Sequence, residues 1–412
     1  MPRTPAPAGL AAAADTRIRR RLLAARALRS VAQGALVATF PLYLDALGWS
    51  GAQIGALFSG IAVLQASLTL FSGPLSDRFG RRRFLLGYEA MLTFAALLAL
   101  ASASHWIIVA AALAGGFGRG MNGAAGPFAP VEQAWLARVT PPPRRSSIFS
   151  LNTALGSFGM AAGALVAAVL PLWQTVLPGA LAYRPLFALM LIAAPFTAGL
   201  LWPIADSAAL QDDAADPPPA RREENRRLLH MAVVNAINGA AIGLIGPLIT
   251  YWFFLRFDVG PAHIGPVLAL AFVATGLSAL TTGRLSRGGR VVSSVVRLRV
   301  LGLGLLLLLP LAPTFFWASA LYIVRAALNR GTAGARQALN MSLISDSRRG
   351  FAATLSSLSM QLPRSVGPVI AGAAFAAGYL SGPFYVAAGL QAIYLLTFRH
   401  LFSRHEKQLS GK

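Results

Sequence analysis

The chain has 412 residues, of which 56% are hydrophobic and 12% are charged, and its mean hydropathy is +0.60. Soluble globular domains carry roughly twice this charged fraction, so the composition excludes an ordinary soluble protein. The formal net charge is +22, but the basic residues cluster in short segments between apolar runs, which indicates a membrane protein rather than one that binds nucleic acid. The absence of cysteine excludes thiolate chemistry, and the five histidines lack metal-ligand spacing. We therefore expect no metal and no other cofactor.

Apolar runs of about 20 residues, long enough to cross a bilayer, recur along the chain. They predict an all-α membrane protein with twelve transmembrane helices, near residues 22–48, 52–73, 84–103, 106–130, 147–170, 183–203, 228–254, 264–283, 291–311, 315–341, 352–377 and 381–402. A charged, proline-rich segment after the sixth cannot join a packed core. The predicted domains are a tail (1–21), a six-helix bundle (22–205), a linker (206–227), a second six-helix bundle (228–402) and a second tail (403–412).

The arginines fall mostly on alternate connections between the predicted helices. One side carries Arg78–Arg83, Arg144, the linker and the C-terminal tail, whereas the other carries little more than Arg184 and Arg256. Because positively charged loops stay in the cytoplasm, both termini are predicted to be cytoplasmic. The abundance of arginine and alanine is typical of a GC-rich bacterial genome. We therefore predict a multi-pass protein of the inner (cytoplasmic) membrane, in contact with lipid.

The connection between the second and third predicted helices, Gly73–Arg83, reads G-P-L-S-D-R-F-G-R-R-R. We predict a tight loop at the membrane surface, with Asp77 capping the following helix. Its pattern, G-x-L-x-D-R-x-G-R-R, resembles the signature loop of the major facilitator superfamily of secondary transporters. The residues that carry this resemblance are Gly73, Leu75, Asp77, Arg78, Gly80, Arg81 and Arg82. The resemblance implies two pseudo-symmetric six-helix bundles and transport by alternating access.

The two halves of the chain also repeat each other. Gly55 precedes Gly73 by the spacing that separates Gly265 from Gly283, and each pair lies in or beside the second helix of its half. Related halves around a site at the membrane midplane are a recurring transporter design. The repeat is incomplete, because Arg287 stands in the second half where the first has its loop aspartate, Asp77.

Arg119 lies in the fourth predicted helix, about 20 Å from its start and so near mid-membrane. The pattern Arg119-x-x-Asn122-Gly resembles the family's R-x-x-Q-G motif, which implies a role in proton coupling or substrate binding. Arg330 is its counterpart in the repeat. An ionisable residue at this depth is a functional candidate by default, so we predict Arg119, Asn122 and Arg330 as substrate-binding residues. The alternative is a structural arginine that binds backbone carbonyls.

Acidic residues within the predicted helices are few. Glu132 resembles the fourth-helix acid that pairs with the signature loop in this family, which implies a gating latch of Asp77, Arg81 and Glu132. Glu89 is the predicted proton-coupling residue, because burial favours the protonated form of a carboxylic acid. The alternative for Glu89 is an ion pair with a nearby arginine such as Arg29 or Arg138.

Polar residues in the first and seventh predicted helices are further candidates. Arg29 and Gln33 lie on neighbouring turns of the first, and Asn235 and Asn238 share a face of the seventh. In the family these helices line the cavity, which implies substrate contacts. Polar residues that only hold helices together are equally common.

Prolines and glycines are predicted to shape three of the helices. Pro41 and Pro247 are predicted to interrupt the first and the seventh. In the fifth helix, Gly159 and Gly163 belong to a pattern that only partly resembles a family antiporter motif, since its proline is missing. We interpret these glycines as sites of close helix packing.

These observations predict a proton-coupled secondary transporter of a small organic solute, acting as a monomer. Deep arginines (Arg119, Arg325 and Arg330) outnumber the deep acid Glu89, which favours an anionic substrate. The alternative is a multidrug/proton antiporter that exports lipophilic compounds. A membrane-embedded transferase is a remote alternative, because the five histidines are scattered along the chain and no catalytic motif is evident. No phosphate-binding G-x-x-x-x-G-K-[ST] motif supports ATP-driven pumping.

Overall fold

The structure is a computed structural model that describes residues 8–119, 126–204, 221–285, 291–331 and 349–410. Within these ranges every regular element is a helix and none is a strand. The class is therefore all-α, as the sequence predicts.

The described part of the first half contains eight α-helices and two short 3₁₀ turns, at Pro142–Arg144 and Gly179–Tyr183. The helices are α1 (Ala8–Ala46), α2 (Gly51–Phe79), α3 (Arg81–Ala101), α4 (His105–Gly115), α5 (Ala129–Arg138), α6 (Arg145–Ala168), α7 (Leu170–Gln174) and α8 (Arg184–Leu201).

The described part of the second half contains seven α-helices and a 3₁₀ turn at Leu309–Leu311. The helices are α9 (Arg221–Ile245), α10 (Ile249–Phe257), α11 (Pro261–Leu285), α12 (Val291–Leu308), α13 (Phe315–Gly331), α14 (Arg349–Ala376) and α15 (Gly382–Ser410).

Six segments of the described chain are long and apolar enough to cross a membrane, judged by length and composition. They are Gly51–Ser76, Arg81–Ala101, Arg145–Gln174, Gly179–Leu201, Leu228–Phe257 and Pro261–Thr281. Two shorter apolar helices, His105–Gly115 and Phe315–Asn329, add to them. All eight overlap predicted spans, and the arrangement is consistent with twelve membrane-spanning helices.

The two halves pack their first helices in the same way. In the first half, Gly34 of α1 lies against the carbonyl of Met160 on α6; in the second, Gly239 of α9 lies against the carbonyl of Met360 on α14. A Cβ atom at either glycine would collide with that carbonyl. The equivalent contacts give the sequence repeat a structural counterpart. Gly159 and Gly163 likewise pack on the backbone of α1, as the close-packing interpretation requires.

The halves meet at the end of the molecule where α1 ends and α2 begins, which we call the closed end. Gly55 of α2 lies against Pro368 and Gly372 of α14, and Gly265 of α11 lies against Ala164 of α6. These two glycines occupy equivalent positions in the repeat. The sequence repeat therefore marks the contact between the halves.

The signature loop is shorter than predicted. Helix α2 continues to Phe79, and only Gly80, with φ of 87°, separates it from α3. Glycine adopts this positive φ without steric cost, so one residue suffices to turn the chain. The predictions of a loop from Gly73 and of a cap at Asp77 were wrong, because the charged segment extends the helix and Gly80 occupies the N-cap position of α3.

The fourth predicted span is not one continuous helix. Helix α4 ends at Gly115, and Gly116 takes the left-handed conformation with its N–H bonded to the carbonyl of Ala112. The next helix that the structure describes begins at Ala129. Arg119 therefore lies in a non-helical segment. Non-helical backbone is tolerated inside a membrane where it lines a cavity.

The two prolines predicted to interrupt helices behave differently. Helices α9 and α10 are separate, with Pro247 in the break between them, as predicted. Pro41 instead lies inside α1, so that prediction was wrong. Pro41 is close to the end of α1, where the helix tolerates the loss of a single backbone hydrogen bond.

Candidate functional site

A cavity lies between the two halves, beyond the closed end. Its empty space measures about 650 Å³, open solvent included. The described residues that line it are Phe58, Ile61, Ala62, Gln65, Gly118, Arg119, Gly126, Pro247, Gln361 and Arg364. Both halves contribute, as expected of a site that alternates between two sides of a membrane.

Arg119 enters the cavity from the non-helical segment after α4. Its Nη1 donates a hydrogen bond of 2.9 Å to Oε1 of Gln65 on α2. The rings of Tyr88 and Phe128 lie 5.4 and 5.9 Å from its guanidinium carbon, within the range of cation–π attraction. Nε and Nη2 are buried, and the hydroxyl of Tyr88 interacts with the same guanidinium group. Among the described residues, Arg119 makes no side-chain hydrogen bond to a backbone carbonyl.

Arg364 faces the cavity from α14 in the second half. The carbonyl of Arg364 packs against Gly243 of α9, which fixes this part of α14 close to its neighbour. Sequence reasoning missed Arg364, Gln65 and Gln361, because none belongs to a recognised motif. An arginine within the predicted span 352–377 was nevertheless a usable signal, since ionisable residues inside a membrane are functional candidates.

The electrostatic character of the cavity follows from this set of residues. Two arginines line it, one from each half, and none of the described lining residues is acidic. Gln65 and Gln361 add neutral hydrogen-bonding groups, and Phe58, Ile61 and Pro247 add apolar surface. Basic, neutral polar and apolar side chains therefore meet in this cavity.

A buried ion-pair cluster lies beside the cavity, inside the first half. Arg29 of α1 donates to Oε1 of Glu89 on α3, with Nε at 2.7 Å, and to Oε1 of Glu132 on α5, with Nη1 at 3.3 Å. The side chain of Glu89 is fully buried and that of Glu132 is 2% exposed. Isolated charges at this depth would be very costly, so each carboxylate depends on the shared guanidinium.

This cluster revises two predictions. Glu132 pairs with Arg29 and not with Arg81, because Glu132 is buried in the first turn of α5 whereas Arg81 is the first residue of α3. The predicted latch of Asp77, Arg81 and Glu132 was therefore wrong about Glu132. For Glu89, the structure contains the ion pair with Arg29 that we gave as an alternative.

The Phe128 ring connects the cluster with the cavity. Its centroid lies 3.9 Å from the guanidinium carbon of Arg29 and 5.9 Å from that of Arg119. Arg26, also buried, is within electrostatic range of Glu132 and Arg119. A change of charge at Glu89 or Glu132 therefore changes the electrostatic potential at Arg119.

The other predicted cavity residues contact neighbouring helices. Gln33 is buried in α1, and its Nε2 has no partner in the described part. Asn235 donates to Oγ of Ser356 at 2.9 Å, and Oδ1 of Asn238 accepts from Nη1 of Arg299 at 2.9 Å. None of the three is among the described residues that line the cavity.

The signature-loop arginines lie at the end of the molecule opposite the closed end. Arg78 is exposed in the last turn of α2, and the guanidinium carbon of Arg82 lies 5.1 Å from the centre of the Trp202 ring. Asn122 lies outside the described residues. Asp77 and Arg330 lie in described helices, but their side chains are outside the described part.

Comparison with known proteins gives a consistent picture. A family model described as Major Facilitator Superfamily matches residues 22–230. Multidrug resistance protein MdtH of Cronobacter sakazakii is 29% identical over 133 residues, and MFS-type transporter YhjO of Bacillus subtilis is 34% identical over 132. Each alignment covers 31% of this chain, and it covers only 31% and 30% of these two relatives.

Solved structures resemble the chain over nearly its whole length. The human organic anion transporter MFSD10 gives a TM-score of 0.66 at 18% identity, covering 93% of this chain and 99% of that one. The nucleoside transporter NupG gives 0.71 at 13% identity, covering 93% and 99%. A bacterial homologue of the human lysosomal transporter Spinster, inward-facing and occupied, gives 0.67 at 13%, covering 94% and 97%. At these identities the likeness concerns the fold alone.

Proposed function

We propose that this chain, which belongs to the major facilitator superfamily of membrane transporters, moves a small organic anion across the bacterial inner membrane by proton-coupled alternating access. Members of this family are transporters and not enzymes, so the transferase alternative is dropped. The observation that carries the proposal is the pair Arg119 and Arg364, which face one cavity from opposite halves.

The preference for an anion follows from charge compensation. The membrane part of the second half, residues 228–402, contains only two acids, Asp258 and Asp346. In the first half the deep acids Glu89 and Glu132 are both engaged by Arg29. Neither cavity arginine is paired with a carboxylate among the described residues, so a bound anion supplies the missing negative charge.

Proton coupling is proposed at Glu89. Its Oε2 is buried without a hydrogen-bond partner in the described part, while Oε1 is held by Arg29. The charged or titratable groups around it are Arg29, Glu132, Tyr88 and Arg119. A proton on Glu89 removes one negative charge from this cluster and so raises the positive potential at Arg119, which strengthens anion binding.

The orientation of the transporter is part of the proposal. With both termini in the cytoplasm, the closed end faces outward and the signature-loop end faces inward. Since α2 and α14 are packed together at Gly55 and Gly372, the cavity then opens toward the cytoplasm. The proposed gating residues Gly73, Asp77, Arg78, Gly80, Arg81 and Arg82 lie at that cytoplasmic end.

A ligand-stabilisation experiment tests whether the protein binds an organic anion at this site. A compound that binds the folded protein raises its apparent stability in proportion to the logarithm of its concentration over Kd. We expect organic anions to stabilise the purified protein and Arg364→Gln to remove the effect. Arg256→Gln, which removes an exposed arginine of α10, is the matched control. Stabilisation that survives Arg364→Gln would contradict the proposed site.

The second candidate is a multidrug/proton antiporter. Two observations favour it: the apolar part of the cavity, formed by Phe58, Ile61, Ala62 and Pro247, and the local similarity to proteins named multidrug resistance protein MdtH. The same stabilisation experiment distinguishes the antiporter from the organic-anion transporter. Stabilisation by lipophilic cations such as tetraphenylphosphonium, stronger at about pH 8 than at about pH 6 and absent with anions, would favour the antiporter.

A further inference from the structure

A groove lies on the outer surface of the first half, between α1 and α8, apart from the cavity between the halves. Its volume is about 570 Å³, and it is open to its surroundings. The described residues that line it are Leu28, Pro195, Phe196, Gly199 and Leu200. All are apolar, and Phe196 is 67% exposed within a segment long enough to cross a membrane. The groove therefore opens toward lipid.

Gly199 leaves part of this groove open. A Cβ atom at Gly199 would have no described atom within 4 Å, whereas one at Gly163 of α6 would collide with the backbone of α1. Glycine weakens a helix interior relative to alanine, and at Gly199 no close helix packing requires it. The space beside Gly199 is therefore available to a molecule from outside the chain.

Arginines of α1 continue the line of the groove toward the signature-loop end. Because α1 is one continuous helix from Ala8, Arg21 and Arg17 lie on the same face as Leu28. At about 1.5 Å per residue, Arg21 is about 10 Å and Arg17 about 16 Å beyond Leu28 along the helix. Arg17 is exposed and Arg21 is partly exposed. The apolar groove is thus followed by two basic side chains.

This end of α1 is held against the rest of the first half. Nη1 of Arg19 donates to the carbonyl of Val139 at 3.4 Å, and Ile18 packs on a buried apolar cluster. On α8, the exposed Trp202 follows the groove, and the guanidinium carbon of Arg82 lies 5.1 Å from the centre of its ring. Tryptophan is enriched where a bilayer meets water. The groove therefore ends at the membrane surface, among basic side chains of α1 and α3.

We propose that this groove binds an anionic phospholipid, with one acyl chain between α1 and α8 and the phosphate held by Arg21 and Arg17. Guanidinium donors match phosphate oxygens, and basic pockets between helices bind anionic headgroups. Asp15, the acid closest in sequence, lies on a different face of α1, which favours a lipid with net negative charge over a zwitterionic one. Because the described lining residues all belong to the first half, the lipid stays bound while the halves move, whatever the transported substrate.

The test compares phospholipids that differ only in their headgroups. Native mass spectrometry of the full chain in detergent counts the bound lipids and gives their Kd. The probes are phosphatidylglycerol, phosphatidylethanolamine and phosphatidylcholine, each with one palmitoyl and one oleoyl chain. We expect the wild type to bind one phosphatidylglycerol about tenfold more tightly than either zwitterionic lipid, since two arginines face the headgroup.

Gly199→Leu tests the place of the acyl chain by filling the groove. The Kd of the first phosphatidylglycerol is expected to rise about tenfold, because the chain loses its apolar contacts. The melting temperature without lipid is expected to stay at or above that of the wild type, since leucine favours a helix. Gly389→Leu, at an exposed glycine of α15 that also has open space around it, is the matched control and is expected to leave Kd unchanged.

Arg21→Gln tests the place of the headgroup. It is expected to weaken phosphatidylglycerol binding about fivefold, the contribution of one basic residue near an anionic lipid surface, and to leave phosphatidylcholine binding unchanged. Arg256→Gln, at an exposed arginine of α10, is the control for loss of one positive charge and is expected to have no effect on either lipid.

Four results would overturn the inference. Undiminished phosphatidylglycerol binding in Gly199→Leu, or an equal loss in Gly389→Leu, would remove the lipid from this groove. Equal wild-type affinity for all three lipids would exclude recognition of negative charge, and unchanged binding in Arg21→Gln would exclude the proposed headgroup position. A wild-type dimer that dissociates in Gly199→Leu would show that a second copy of the chain covers the groove instead of a lipid.

Discussion

Tyr251 of α10 donates a hydrogen bond from its hydroxyl to Oδ1 of Asp45 near the end of α1, over 3.0 Å, and so joins the two halves at the closed end. Tyr251 is also close to Phe375 of α14, with ring centroids 6.4 Å apart. A hydrogen bond to an ionised group contributes about 1.5–3 kcal/mol. The Asp45–Tyr251 contact is therefore strong enough to bias the equilibrium between closed and open states at this end.

We predict that Tyr251→Phe increases the population in which this end is open. The chain has no cysteine, so spin labels on Ala52→Cys and Tyr379→Cys, at exposed positions of the two halves, report the separation without background. The distance distribution is expected to gain a longer component. Tyr385→Phe removes the hydroxyl of a partly exposed tyrosine on α15 and is expected to leave the distribution unchanged. An unchanged distribution in Tyr251→Phe would remove the contact from the closing mechanism.

Gly55 allows a direct test of the packing at the same end. A Cβ there would collide with the carbonyl of Pro368, and overpacking of this kind costs about 1–3 kcal/mol. Gly55→Ala is therefore expected to destabilise the closed end and lengthen the same label distance. Gly87→Ala, in a helix with open space around the glycine, is the control and is expected to be neutral or slightly stabilising. Equal behaviour of the two variants would contradict close packing at Gly55.

Sequence reasoning found the features that depend on local chemistry. Hydrophobic length, the break at Pro247 and the glycine repeat are all visible in short windows of sequence, and the structure contains each of them. The repeat also marks the interface between the halves, because Gly55 and Gly265 each contact a helix of the opposite half.

The features that sequence reasoning missed depend on distant partners. Glu132 pairs with Arg29, a residue more than a hundred positions away, and no single sequence specifies that choice among several arginines. Gln65 meets Arg119 because α2 packs beside the segment after α4 within the first half, and Arg364 lines the same cavity because the halves pack together. The continuous fourth helix was wrongly predicted because apolar length was weighed above the glycines at 115, 116 and 118.

The signature loop carries a prediction that rests on sequence. Asp77→Asn removes the charge of the loop aspartate while keeping its size. We expect the variant to fold and melt like the wild type but to transport its substrate at least about tenfold more slowly, since the loop is proposed to gate the cytoplasmic end. Uptake into proteoliposomes measures this. Asp15→Asn, at an exposed acid near the start of α1, is the control, and undiminished transport by Asp77→Asn would remove the gating role.

Glu89 provides the test of coupling. Glu89→Gln has the size of the native side chain and the charge of its protonated form, so it fixes the cluster around Arg29 in one state. We expect this variant to bind the anion with undiminished affinity, because the potential at Arg119 is permanently raised. Anion-dependent proton movement, followed with a pH-sensitive dye inside proteoliposomes, is expected to be lost.

The affinity should also lose its dependence on pH. In the wild type, a carboxylate that becomes protonated as the pH falls strengthens anion binding, so Kd is expected to be lower at about pH 6 than at about pH 8, and Glu89→Gln is expected to show the low value at both. Asp258→Asn is the matched control, since it neutralises an exposed acid in a left-handed position that asparagine accepts readily. Proton movement that persists in Glu89→Gln would assign coupling elsewhere, with Glu132 as the next residue to substitute because it shares Arg29 with Glu89.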